Sequence, residues 1–208
     1  MSVLPVIDRL EAELVEARPG SLYFAHLMLP HYLYAYRSDC RLVPKAGAWV
    51  NACSNFARPR SNTDETRAFR YPRYLEQVLC THRRLDALFE SMRDAGTFDS
   101  AIILVHGDHG SRIDRGPPSQ RFLRWLVPRD YVDVFSTLFA ARIPGRPPAY
   151  DRRQLVLYDL LKHFIRRGGF APVLGKTYTR TVYLTSGKRR MLARPMPEFS
   201  QGRVVPTR

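Results

Sequence analysis

Apolar residues first recur at helical spacing at Val3, Ile7, Leu10 and Leu14, with Pro5 in a first turn and Arg18-Pro19-Gly20 closing the segment. A short helix with one apolar face satisfies that spacing. The next run, SLYFAHLML from Ser21 to Leu29, predicts a strand that ends at Pro30-His31. From Tyr32 to about Arg70 the pattern is irregular, and so long a stretch in a compact domain points to function or insertion. Leu75, Val78, Leu79, Leu85, Leu88, Phe89 and Met92 then mark a helix over Tyr71 to Met92, with Pro72 in its first turn and Gly96 beyond its end. The unbroken apolar run Ala101-Ile102-Ile103-Leu104-Val105 predicts a strand covered on both faces.

Strand, helix and strand in that order make a βαβ unit, whose crossover is right-handed and whose strands are parallel. The expected fold class is therefore α/β, a mostly parallel sheet flanked by helices. After a polar loop through Pro128, the apolar run Tyr131 to Ile143 reads in its second half as another core strand. Asp151 is placed to cap a helix that buries Leu155, Tyr158, Leu161, Phe164 and Ile165 and stops at Gly168-Gly169. Looser alternation from Thr177 to Arg194 around Ser186-Gly187 predicts an antiparallel hairpin.

With 208 residues, 45% of them apolar, the chain can bury one sizeable core. A single domain over 1–208 is expected, with its core at about 21–170 and a hairpin tail at 171–208. No apolar stretch approaches the ~20 residues that cross a bilayer, and the first residues lack the layout of a signal peptide. The polypeptide as given reads as soluble.

The formal charge of +14 invites a nucleic-acid reading, but the basic residues are spread from Arg9 to Arg208 in short runs such as Arg83-Arg84 and Lys188-Arg189-Arg190. No nucleic-acid-binding motif accompanies them, so a nucleic-acid partner is not expected. Cys40 and Cys53 fall in one loop and could pair in an oxidising compartment, leaving Cys80 free; three unrelated thiols is the alternative reading.

Candidate chemistry gathers where the apolar run Ala101–Val105 gives way to His106-Gly107-Asp108-His109-Gly110. Ligands usually bind beyond the carboxyl ends of the strands in an α/β sheet. Asp108 and His109 suit a divalent metal, and the flanking glycines would let the backbone bend close to it. Two parallel strands would deliver His31 and Asp108 to one sheet edge. A polar turn in which Asp108 merely caps the next segment, and a strand-end His31 satisfied by carbonyls, are the alternatives. Arg112 could hold an anionic oxygen through its planar fork, or lie on the surface like many other arginines here. His106 is set aside by strand parity, His26 reads as a buried core residue and His82 as structural. Asp39, Asp130 and Asp133 read as solvated loop or cap carboxylates.

The order of these elements resembles the C-terminal half of the alkaline phosphatase and sulfatase superfamily. The signature is a strand ending in HLMLPH, a long loop, a helix, a strand ending in the Asp-His-Gly of HGDHG, and later FSTLFAARIPG. The sulfatase-like group with lipoteichoic acid synthases and phosphoethanolamine transferases is the nearest in flavour, and the match spans roughly Ser21 to Phe164. The resemblance implies an alkaline phosphatase-like fold and transfer of a phosphoryl or sulfuryl group through a covalent intermediate. It also implies a divalent metal cofactor (Zn²⁺, Mn²⁺, Ca²⁺ or Mg²⁺) and a phosphate- or sulfate-ester substrate. Under it Asp108 and His109 match paired metal ligands, and His31 matches the histidine that contacts the transferred group.

The family's nucleophile and first acidic ligand lie on strands well before the Pro-His element. Only some thirty residues precede that element here, so both groups are expected to be absent. Ser2 lies ahead of a helix and cannot replace the nucleophile. Ser111 to Gln120 holds no histidine where the transferases often carry one, and Leu33 replaces a common proline. The chain is thus expected to be a C-terminal portion with little activity alone, completed by an N-terminal part of the same domain. A non-catalytic remnant serving in recognition is the competing class, and a basic nucleic-acid module comes last. Members of the group are often anchored in the bacterial inner membrane with this domain outside the cytoplasm. Any membrane association here would run through a missing N-terminal region.

Overall fold

The computed structural model describes residues 4–44, 63–111, 113–114, 116, 119–151, 155–170, 181–185 and 191–195. Helix α1 spans Leu4–Val15, as its spacing predicts, and buries Ile7 completely. Helix α2 spans Asp64–Asp94 and so begins well before the expected Tyr71. Thr63 caps it by accepting from the Thr66 backbone N–H at 3.2 Å, and Asp64 and Glu65 place negative charge in the first turn. Pro72 therefore lies inside the helix and does not open it.

Strand β1 is Ile103–His106 and pairs antiparallel with β2, Phe139–Arg142, from Ile103 opposite Arg142 to His106 opposite Phe139. Helix α3, Pro128–Phe135, precedes β2 and starts where a loop was expected to end. Asp130 organises its first turn by accepting from the Val127 N–H at 2.9 Å. Helix α4, Leu157–Arg167, ends at Gly168, whose positive φ and N–H to Phe164 O close the last turn. Strands β3, Thr181–Thr185, and β4, Met191–Pro195, form the antiparallel hairpin that the alternation predicts.

The molecule mixes helix and strand, but the parallel sheet is a correction. Among the described residues both sheets are two-stranded and antiparallel, and the sole parallel pairing is the isolated bridge of Ser119 with Thr185. Ser21 to Leu29 runs without a ladder and is not a strand; Leu22 and Phe24 are 93% and 87% exposed. A strand needs a hydrogen-bonded neighbour, and among the described residues β1 pairs with β2 and forms no ladder with 21–29. Nor is β1 buried on both faces, for its apolar residues are half-buried and Ile102 beside it is exposed.

The core sits between α1, α2 and the end of the 21–29 segment: Ile7, Leu29, Tyr36, Cys80, Leu88 and Met92, with Phe98 and Ile103 packed against them. A Cys40–Cys80 disulfide ties the loop after His31 to α2, so Cys80 is the partner that the Cys40–Cys53 reading missed; Cys53 lies outside the described residues. In α4 the buried residue is Leu160, whereas Tyr158 and Ile165 are exposed, and the N-cap position is Val156 where Asp151 was expected. His26 is exposed where a core residue was expected, and His82 is exposed on α2. Local pattern alone cannot say whether a distant neighbour arrives to cover a residue.

Candidate functional site

His106 closes β1 and the chain turns through Gly107 to Gly110. The turn is fastened to the segment around the end of α3: Gly110 donates to Val134 O at 3.0 Å and Gly107 to Leu138 O at 3.1 Å. A Cβ on Gly110 would stand 2.1 Å from the Asp133 carbonyl oxygen, and one on Gly107 would stand 2.1 Å from Thr137 Oγ1. The glycines were expected to admit an ion. Their observed role is to admit the backbone and side chains of residues 133–137.

On that turn His109 is largely buried, its side chain 19% exposed, while Asp108 is 75% exposed. The His109 ring lies 6.0 Å from that of His31, centroid to centroid and edge to face. His31 and His109 thus converge although Leu29 and β1 form no parallel pair. Each imidazole is oriented by a carbonyl: His31 Nδ1 lies 2.5 Å from Tyr32 O and His109 Nδ1 lies 2.7 Å from Gly110 O. A carbonyl only accepts, so each contact is a hydrogen bond in the tautomer with the proton on Nδ1, the one that leaves the Nε2 lone pair for a ligand. Histidines that bind metal are commonly oriented in this way.

Asp108 Oδ1 stands 3.6 Å from His109 Nε2. Two donors on one tetrahedral zinc, each at about 2.0–2.1 Å, lie about 3.4 Å apart. The pair therefore fits two positions of a coordination shell. Among the described residues no group of three or more His, Cys, Asp and Glu could hold a metal ion. Arg112 lies outside the described residues, and no geometry is assigned to it. His106 is exposed, with Nδ1 3.1 Å from Gly107 O.

Beneath the turn lies a polar cluster that sequence reasoning missed. Arg67, 6% exposed, reaches from α2 to Asp130 Oδ1 at 2.5 Å and Asp133 Oδ2 at 3.2 Å on α3. Asp130 is fully buried, so its reading as solvated is corrected, although its role as a cap holds. Asp133 is also mostly buried, and Asp39 accepts from Arg41 N in an exposed turn as expected. Asp114 is buried nearby, and burial, reinforced by the charge of Asp130, pushes its carboxyl up to about 6. Burial likewise raises the pKa of Asp133 and of Tyr71, whose hydroxyl faces Asp133.

A second group borders the histidines. Tyr34, buried, donates to Ser111 O at 3.2 Å, and burial raises its phenol. The guanidinium of Arg70 lies 5.2 Å from the Tyr32 ring centroid and 5.9 Å from that of Tyr34. A signal for this region exists in the sequence. Arg67, Arg70, Tyr71, Tyr74, Gln77 and Thr81 fall at helical spacing and form a polar stripe. Apolar periodicity does not show that stripe, because its members are polar or carry a hydroxyl.

No family model, no curated protein and no solved structure matches this chain.

Proposed function

We propose that this chain carries part of a metal-dependent site for phosphoric or sulfuric esters, of the alkaline phosphatase and sulfatase type, as a hydrolase or transferase. The observation that supports the reading is the approach of His31 to His109, 6.0 Å between rings, with Asp108 beside His109. In this reading Asp108 and His109 are two ligands of a divalent ion, Zn²⁺ or Mn²⁺ foremost. His31 presents Nε2 to an oxygen of the ester, and Arg112 is a candidate for a second anionic oxygen. A bound ion would supply Lewis acidity and offset charge on the ester oxygens. The alkaline phosphatase-like fold belongs to the same proposal, with further ligands and the nucleophile coming from the N-terminal part that the resemblance implies.

The Cys40–Cys80 bridge favours an oxidising compartment, in keeping with an extracytoplasmic domain. No helix among the described residues is long and apolar enough to cross a membrane.

The test is thermal unfolding of the 208-residue chain with and without Zn²⁺ or Mn²⁺. The expected result is an ion-dependent rise in Tm that disappears in Asp108→Ala. An unchanged Tm in both proteins at millimolar ion would overturn the reading. Appreciable turnover of an aryl phosphate or aryl sulfate by the chain alone would overturn the part of it that requires a second segment.

One observation favours the alternative of a recognition piece. Leu22, Phe24 and Met28 are exposed on a stretch that forms no ladder among the described residues. Concentration-dependent self-association that is lost in Phe24→Ser, with no ion response, would favour that alternative.

A further inference from the structure

The spacing of the two histidines must be enforced by something other than strand pairing, because residues 21–29 form no ladder with β1 among the described residues. Gln77 occupies the decisive place. It projects from the middle of α2, is fully buried, and spans the two ends of the loop that carries His31. Its Nε2 donates to the His31 carbonyl at 2.7 Å, and its Oε1 accepts from the Tyr36 N–H at 3.2 Å. Both ends of one amide are thus used on one loop. Its own carbonyl accepts from Thr81 Oγ1 at 2.8 Å. On the other side of the loop Tyr34 donates to Ser111 O, two residues past His109.

We propose that Gln77 is a positioning residue that holds His31 against His109. The function assigned to the two histidines rests on the reading above, but the juxtaposition can be measured without any metal. A buried amide with one donor and one acceptor both engaged fixes distance and direction together. An apolar side chain of similar volume would fill the space and leave the His31 carbonyl and the Tyr36 N–H without these bonds. The loop would then shift to regain partners, and His31 would move from His109 while α1 and α2 stay packed through Ile7, Leu88 and Met92.

The experiment uses the whole chain and compares wild type with Gln77→Met, Gln77→Glu and Leu88→Ala. The readout is the nuclear Overhauser effect between the imidazole protons of His31 and His109 in the metal-free protein. It should be present in wild type and in Leu88→Ala, which lowers Tm by opening a cavity. It should be lost or reduced by at least half in Gln77→Met. Gln77→Glu, measured at a pH where its carboxylate is ionised, keeps the acceptor for Tyr36 but loses the donor to His31, and should lose the effect as well. Retention of the effect in a folded Gln77 variant, or its loss in Leu88→Ala, would overturn the proposal. Should neither Gln77 variant fold, exchange of the Gln77 side-chain amide protons in wild type decides. Slow exchange supports the hydrogen bond from Gln77 Nε2 to the His31 carbonyl, and exchange at the rate of a free amide overturns it. Added Mn²⁺ separates the two claims. Broadening of His109 in wild type speaks for the site, and its absence counts against the proposed function while leaving the metal-free result to stand on its own.

Discussion

Two polar groups lie within a few residues of each other, one at Asp108 and His109 and the other at Asp114 with Arg67, Asp130 and Asp133. They solve opposite problems. The buried group has its charges taken out of water, and Arg67 answers both Asp130 and Asp133, while the Val127 N–H uses the second oxygen of Asp130. Burying a charge is costly unless it is paired and hydrogen-bonded. At the other group Asp108 stays exposed, and the histidines spend one nitrogen on a carbonyl while keeping the other. The first arrangement consumes its bonding capacity to hold α2 against α3. The second retains capacity that a ligand can use.

The largest expected effect breaks the first group. Arg67→Met leaves Asp130 and Asp133 buried without their cation, and unfolding in urea should show a loss of about 3–5 kcal/mol. A loss below about 1 kcal/mol would mean that water reaches the cluster and that the contrast is overstated.

Next in size is a pH effect on Asp114. Its folded pKa, about 6, exceeds the ordinary value of 3.8, so the folded state binds the proton more tightly than the unfolded chain. Its contribution to stability is therefore fully present below 3.8 and is lost as pH rises through about 6. Relative to Asp114→Asn, wild type should lose on the order of 3 kcal/mol across that window, measured by urea unfolding at a series of pH values. A flat difference would place Asp114 in contact with solvent.

A smaller loss should follow from Gly110→Ala, whose methyl would meet the Asp133 carbonyl oxygen. Overpacking of this kind costs about 1–3 kcal/mol, visible in a thermal melt. If the variant is as stable as wild type, the turn is not clamped to residues 133–136. The smallest effect sharpens the second group. Asp108→Ala should change stability by no more than about 0.5 kcal/mol because the side chain is exposed. It should nevertheless abolish the response to Zn²⁺ or Mn²⁺. A marked loss of stability would show that Asp108 serves the fold and is not held in reserve for a ligand.

How far these groups can be read from the chain depends on what each residue relies upon. Asp108 and His109 are adjacent and follow an apolar run, so local pattern brings them forward. Asp130 and Asp133 share one helix turn with nothing beside them in sequence to mark burial, and their cation lies more than sixty residues earlier. Arg67 itself fell in a stretch without apolar rhythm. A helix whose inward face is polar leaves no apolar stripe, so periodicity of hydrophobic residues cannot locate it.

The chain by itself determined α1, the greater part of α2, the hairpin of β3 and β4, the close of α4 at Gly168, and the adjacency of Asp108 and His109 just past β1. Each depends on contacts between near neighbours in sequence, where spacing and turn chemistry act directly. Tertiary structure decided that β1 pairs with β2, that Ser21 to Leu29 forms no ladder among the described residues, that Cys40 meets Cys80, and that Arg67 lies buried against α3. It also brought Gln77 beneath the loop of His31. Such choices compare one distant partner with another, and a hydrogen-bonding edge or a buried charge accepts whichever complete set of partners the rest of the chain can bring to it.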